Sequence, residues 1–98
     1  MSRLSYDRAA LARLCRRHRI RRLALFGSVL KGIDRPDSDV DLLVEFEAGA
    51  VPGLIGLAAI EAELSALLAR RVDLRTPQEL SPYFRDAVEG EAEVQFAA

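Results

Sequence analysis

Residues 25–44, LFGSVLKGIDRPDSDVDLLV, decide how this chain folds. They predict a strand, a corner at Gly27 and Ser28, a short helical turn, a polar loop, and a second strand that opens at Asp39. Because successive side chains of a strand point to opposite faces, Asp39 and Asp41 share one face, and the apolar residues that alternate with them share the other. The pattern therefore predicts a strand with one buried face and one acidic face.

The two carboxylates have a spacing that suits divalent cations. Residues two apart in a strand have Cα atoms roughly 6.5–7 Å apart, and two-metal phosphoryl chemistry places its ions about 3.5–4 Å apart. At the corner, Gly27 lets a backbone approach a phosphate closely, and a helix starting at Ser28 would direct free N–H groups at it. A purely structural interpretation stays open, since Gly-Ser turns and Asp-rich loops are common. Without a cation, however, Asp39 and Asp41 would raise each other's pKa, and this favours the functional interpretation.

The order of corner and acids is similar to a known signature. Gly27 and Ser28, ten further residues, then Asp39 and Asp41 before an apolar run resemble the nucleotidyltransferases related to DNA polymerase β. The short chain resembles the minimal nucleotidyltransferases (MNT proteins), which are often paired with HEPN toxins. Residues 71–77, RVDLRTP, resemble the strand that carries the third acid of that family, so the resemblance covers nearly the whole chain.

The corner departs from the family in one respect. Family members often carry arginines here, in a Gly-Ser-Arg-Ala-Arg-Gly pattern, whereas residues 27–32 read GSVLKG. Only Lys31 supplies a positive charge in this stretch.

The resemblance implies a metal-dependent nucleotidyltransferase. It would move a nucleoside monophosphate, AMP from ATP or its equivalent from another NTP, onto a hydroxyl of a macromolecular acceptor. The implied catalytic residues, which are also the metal ligands, are Asp39, Asp41 and Asp73. The implied nucleotide-binding residues are Gly27, Ser28 and Lys31. Two Mg²⁺ ions are the expected cofactors, with Mn²⁺ as the alternative, because hard cations suit carboxylate and phosphate oxygens.

The resemblance also implies a protein partner. The chain would be the antitoxin of a HEPN-type toxin and would modify it as a protein adenylyltransferase; an RNA acceptor has weaker support. Two alternatives stay open. One is a binding module that neutralises the toxin by docking without catalysis, and the other is a nucleotide-binding subunit without turnover.

Length and composition limit the remaining classes. The 98 residues predict a single domain over residues 1–98, and a net charge of −1 provides no global attraction for nucleic acid or membrane. The single Cys15 excludes an internal disulfide and a cysteine metal cluster. There is no apolar stretch of signal-peptide or bilayer-spanning type, so we expect a cytoplasmic protein without a membrane partner.

Strands alternate with helices along the chain. Predicted helices cover residues 5–18 with Ser5 as N-cap, 54–70, and 82–89 with Gly90 as the end; predicted strands cover 22–26, 39–47, 72–76 and, at an edge, 93–96. We expect an α/β (α+β) domain: a small mixed β-sheet of three to four strands, with helices packed mainly on one face and the site on the rest. The resemblance implies the same architecture, the polymerase-β-type nucleotidyltransferase core.

A basic cluster surrounds the end of the first helix. Its members are Arg13, Arg16, Arg17, Arg19, Arg21 and Arg22. They form either a solvated face, favoured by the dipole at a helix C-terminus, or a surface for RNA, nucleotide phosphate or an acidic partner. The absence of interleaved aromatic residues favours the solvated face. His18, the single histidine, is interpreted as a surface residue and not as a base.

Overall fold

The fold is built on a mixed β-sheet of four strands. A computed structural model describes residues 4–33, 35 and 37–98, so the predicted polar loop is described except for Asp34 and Pro36. The strands are β1 (Ile20–Phe26), β2 (Val40–Phe46), β3 (Val72–Arg75) and β4 (Glu93–Ala97). Their order is β3-β2-β1-β4, with β1 antiparallel to β2 and β4, and β2 parallel to β3. The predicted mixed sheet is confirmed.

Four helices connect and cover these strands in the described part of the chain. They are α1 (Arg8–Arg17), α2 (Gly27–Lys31), α3 (Leu54–Leu68) and α4 (Pro82–Glu91), with a 3-10 turn at Pro77–Glu79. The long crossover between the parallel strands β2 and β3 is made by α3, as such connections require. None of these helices has the length and apolar character of a membrane span within the described residues.

The core lies on one face of the sheet. Val40, Leu42 and Val44 of β2 are almost completely buried and belong to one apolar cluster with residues of α1 and α3. Asp41 lies between them and therefore points to the other face. That face is not uniformly polar, because Leu43 and its register partner Ala24 on β1 are also buried.

Two predicted helix ends are wrong. Helix α1 is capped by Asp7 and not by Ser5, since an Oδ1 carboxylate oxygen of Asp7 accepts the N–H groups of Ala9 (2.9 Å) and Ala10 (3.2 Å). A carboxylate at this position also offsets the positive end of the helix dipole. Gly90 lies inside α4, which continues to Glu91. A glycine within a helix costs only about 1 kcal/mol, so it need not end the helix.

Side chains of α3 bind the edge strand β3. The Ser65 hydroxyl donates to the carbonyl of Glu61 (2.8 Å) and accepts the N–H of Val72 (3.0 Å). The Glu61 carboxylate accepts the N–H of Leu74 (2.9 Å). Asp73 lies between these two anchored residues, so α3 fixes its position on the strand.

Candidate active site

Two of the predicted acids are register partners. In the parallel pair of β2 and β3, Asp41 lies directly opposite Asp73. Directly opposite residues of neighbouring strands point to the same face of the sheet. Both carboxylates are half-buried and lie on the face opposite the main core. The sheet therefore brings together two acids that are 32 residues apart in the sequence.

The third acid, Asp39, lies in the loop just before β2. It is exposed, with a carboxylate oxygen 4.0 Å from the Nε of Arg71. The preceding residues are held by Arg70, whose guanidinium donates to the carbonyls of Arg35 (3.2 Å) and Ser38 (2.9 Å). The backbone just before Asp39 is therefore held in place, while the Asp39 side chain is more exposed than that of Asp41.

Gly27 closes the corner directly against Asp41. It follows Phe26, the register partner of Asp41, and has a φ of +79°, a value that L side chains rarely adopt. A Cβ atom at Gly27 would overlap Oδ2 of the Asp41 carboxylate. The corner therefore needs glycine both for its backbone conformation and for its closeness to the acid.

The electrostatics of the site centre on Asp41. Burial raises the pKa of its carboxyl group, and the negative charges of Asp73 and Asp39 raise it further, while Arg75 opposes them. The Arg75 guanidinium lies 3.2 Å from a carboxylate oxygen of Asp73 and 3.6 Å from one of Glu79. These acids raise the pKa of Arg75, Asp73 most strongly. A concentrated negative charge of this kind favours binding of a cation.

A cleft of about 470 Å³ opens beside these residues. Asp41 and Asp73 line this cleft, together with Gly27 and Lys31 of the corner. This volume is within the usual range of small-molecule sites, about 300–1,000 Å³. The cleft can therefore take a ligand of nucleotide size with its charged part next to the acids.

Comparison with known proteins identifies the family. A family model described as nucleotidyltransferase domain matches residues 8–94, which include the corner and all three acids. The chain is a nucleotidyltransferase of this family.

Two similar proteins match this chain over most of its length. A candidate protein adenylyltransferase of Methanocaldococcus jannaschii is 33% identical over 76 residues, which are 78% of this chain and 80% of the relative. A solved structure of a candidate minimal nucleotidyltransferase is 44% identical, with a TM-score of 0.72, and the match covers 87% of this chain and 85% of that one. The chain belongs to the minimal nucleotidyltransferases.

A third protein of similar fold is part of a solved complex. It is a tri-AMPylated HEPN toxin of Shewanella oneidensis with an MNT antitoxin, at 18% identity and a TM-score of 0.65, covering 93% of this chain and 70% of that one. At this identity the likeness shows the fold alone.

Some of the predicted site residues of this nucleotidyltransferase line the cleft, and others do not. Gly27, Lys31, Asp41 and Asp73 are among the residues that line the cleft. Ser28, the second residue of α2, is half-buried and is not among them, and neither is the exposed Asp39.

The cleft also contains residues that the sequence did not single out. These are Arg75, Glu79, Leu80, Phe84 and Glu91, among others. Arg75 could have been found, because it is two residues after Asp73 in the same strand and must share its face. Residues after β3 carry no comparable signal, since their position depends on how α4 packs.

The donor set fits a hard divalent cation. Asp41 and Asp73 are paired across β2 and β3, and carboxylate oxygens are the ligands that Mg²⁺ prefers. In the described residues no three His, Cys, Asp or Glu side chains already form a group that could hold a metal ion. Asp39 lies near Arg71 and Asp73 pairs with Arg75. Binding of a cation by all three acids would therefore need side-chain rotation away from these arginines.

The basic cluster lies away from the cleft. Arg17 and His18 both bind Glu63, at 2.8 Å and 2.6 Å, and Arg21 binds Glu45 at 2.6 Å. None of the six arginines is among the residues described as lining the cleft. These ion pairs support the solvated-face interpretation, and the Glu63 contact supports His18 as a residue outside the active site.

Proposed function

We propose that this nucleotidyltransferase transfers AMP from ATP to a hydroxyl group of a protein, with Mg²⁺ as cofactor. The observation that carries the proposal is the register pairing of Asp41 with Asp73, packed against the Gly27 corner and opening into the cleft. The name of the relative from M. jannaschii, a candidate protein adenylyltransferase, supports a protein acceptor.

In the proposed reaction the acceptor oxygen bonds to the α-phosphorus of ATP. The bond from that phosphorus to the bridging oxygen of the β-phosphate breaks, and pyrophosphate leaves with the electron pair. Asp73 takes up the proton of the acceptor hydroxyl. Asp39, Asp41 and Asp73 would hold the cation, which would neutralise the charge of the triphosphate and its leaving group. Mn²⁺ would satisfy the same oxygen ligands.

Three other residues would position the triphosphate. Gly27 leaves room for a phosphate beside Asp41, and Lys31 adds a positive charge along the cleft. Ser28 follows in α2 and is proposed to donate a hydrogen bond to a phosphate oxygen. Positioning and charge neutralisation would supply most of the rate enhancement in such a site.

The proposed partner is a toxin of the HEPN type. A solved complex of similar fold joins an AMPylated HEPN toxin to an MNT antitoxin. By this proposal the chain is the antitoxin of such a pair, and the modified hydroxyl belongs to the toxin.

The position of the label in ATP tests this reaction. When the protein is incubated with Mg²⁺ and a candidate HEPN protein, α-³²P-labelled ATP should label the toxin band on a denaturing gel. γ-³²P-labelled ATP should not, because the γ-phosphate leaves in pyrophosphate. Labelling from γ-³²P would mean phosphoryl transfer, and no labelling from either would contradict the enzyme proposal for that acceptor.

A further prediction concerns the ion pair of Arg75 and Asp73. If Asp73 is a metal ligand, the Arg75 guanidinium competes with the cation for its carboxylate. Arg75→Gln should then bind Mn²⁺ alone about two- to fivefold more tightly, the size expected for loss of a partly exposed ion pair. Arg13→Gln, an exposed residue of α1, changes the net charge equally and should leave the affinity unchanged. Calorimetry on the nucleotide-free variants makes the comparison, and equal affinities would remove Asp73 from the metal site.

A further inference from the structure

The cleft is lined by both charged and apolar side chains. Asp41, Asp73 and Lys31 are among the charged residues, and Leu80, Phe84 and Val88 are among the apolar ones. A nucleoside triphosphate needs both kinds of surface, since it joins a charged triphosphate to a flat aromatic base. With the triphosphate against the acids and their cation, the base needs an apolar or aromatic surface within the same cleft.

Phe84 is the aromatic side chain that α4 contributes to the cleft. It lines the cleft and yet remains 56% exposed, so its ring is not used up by the core. The neighbouring Tyr83 is 97% exposed and does not line the cleft. An exposed aromatic ring inside a ligand-sized cleft is well suited to stack on a base, because every base has a π-face.

The first turn of α4 is held in place before any ligand binds. The Arg85 guanidinium donates to the carbonyls of Pro77 (2.8 Å) and Leu80 (3.1 Å), which come before the helix. The N–H groups of Phe84 and Arg85 both donate to the carbonyl of Ser81 (3.0 and 2.8 Å). A ring on a fixed turn costs little ordering when it binds a flat partner.

We propose that Phe84 forms the nucleobase site of the cleft, with the base stacked on its ring and the triphosphate beside Asp41 and Asp73. This assignment rests on the proposed function, since it uses the same triphosphate position. It adds the second half of the nucleotide site, which neither the sequence signature nor the acids define. Stacking on one ring reads no base edge, so other nucleoside triphosphates should share the site.

Calorimetry with two ligands separates the base from the phosphates. Phe84→Ala should weaken binding of Mg²⁺ with AMP-PNP, a non-hydrolysable ATP analogue, by at least about fivefold, as expected for loss of one stacked base. The same variant should bind Mg²⁺ with tripolyphosphate like the wild type, because tripolyphosphate has no base. Phe84→Tyr keeps the ring and should retain the affinity for AMP-PNP.

Tyr83→Ala is the matched control, since it removes a neighbouring aromatic side chain that lies outside the cleft. It should bind both ligands like the wild type. Thermal unfolding of each variant checks that the fold is intact. Equal weakening for both ligands, or equal weakening in Tyr83→Ala, would overturn the base site.

The outcomes also separate this inference from the proposed function. If wild type labels an acceptor from α-³²P-labelled ATP and Phe84→Ala keeps its affinity for AMP-PNP, the transfer reaction stands and the base site is wrong. If Phe84→Ala keeps that affinity but labels the acceptor poorly, Phe84 belongs to the acceptor surface, and the base site is again wrong. If wild type neither binds AMP-PNP nor transfers label, both proposals fail.

Discussion

Label transfer by Asp41→Asn is expected to fall by about two to three orders of magnitude, the size seen when one charge-stabilising group is removed from a preorganised site. Asparagine has the same shape as aspartate but lacks the negative charge that a cation requires. The comparison uses α-³²P-labelled ATP, Mg²⁺ and the acceptor protein, with gel detection. Asp86→Asn, an exposed residue of α4 that does not line the cleft, loses the same charge and should transfer label at the wild-type rate.

The same variant distinguishes catalysis from docking. Surfaces outside the cleft are unchanged by Asp41→Asn, so the variant should still co-purify with its partner. Transfer at the wild-type rate would show that Asp41 is not catalytic. If transfer is lost while a HEPN partner remains fully silenced, the non-catalytic binding module explains the proposed antitoxin role better than catalysis does.

Asp41→Asn should also change how stability depends on pH. Folding raises the pKa of Asp41 above its ordinary value of 3.8, chiefly through burial, so the folded state favours the neutral acid. The stability that Asp41 contributes is therefore complete below pH 3.8 and is lost as the pH rises through the raised pKa. Asparagine resembles the neutral acid at every pH. In EDTA at pH 7 the variant should melt at a higher temperature than wild type, and this difference should shrink as the pH approaches 3.8.

The second large effect is expected for Gly27→Ala. The new methyl group would meet both a φ of +79° and the Asp41 carboxylate. The left-handed conformation costs an L residue about 1–2 kcal/mol, and forcing a methyl group into filled space typically costs about 1–3 kcal/mol more. We expect the free energy of unfolding to fall by about 2–4 kcal/mol in all, and AMP-PNP binding to be lost because Asp41 is displaced.

Gly32→Ala isolates the backbone part of this effect. Gly32 ends α2 with a φ of +73°, but a Cβ atom there would meet nothing within 4 Å. The variant should lose about 1–2 kcal/mol in denaturant unfolding and should keep its affinity for AMP-PNP. Equal losses of stability in the two variants would mean that the contact between the new methyl group and Asp41 adds no cost at Gly27.

Local pattern was sufficient for much of the fold. The alternation around Asp41 correctly predicted which face of β2 is buried, because a strand has a fixed period of two. The α1 cap was less predictable, since Ser5 and Asp7 are both good N-cap residues and the choice depends on where the chain enters the helix. The prediction that Gly90 ends the last helix was wrong for a related reason, because a helix held by tertiary packing tolerates one glycine.

Only the part of the site that depends on local strand patterns could be predicted. The resemblance pointed to Asp73 as the third acid, but its place directly opposite Asp41 depends on the register of β2 and β3, which no local pattern fixes. The position of Asp39 outside β2 also depends on the three-dimensional fold and not on local sequence. The same is true of the pairing of Arg75 with Asp73. Phe84 reaches the cleft through the packing of α4, so the sequence alone gave no reason to separate it from Tyr83.

The bonds from α3 to β3 also bear on how molecules of this protein meet one another. An edge strand usually presents a row of unpaired N–H and C=O groups, which serves as a template for pairing with a strand of another chain. On β3 the N–H groups of Val72 and Leu74 are already taken by the side chains of Ser65 and Glu61. A second chain that approached this edge would have to displace the two α3 side chains before it could pair. The contacts that hold Asp73 in register thus also oppose cross-β growth beside the acidic cleft.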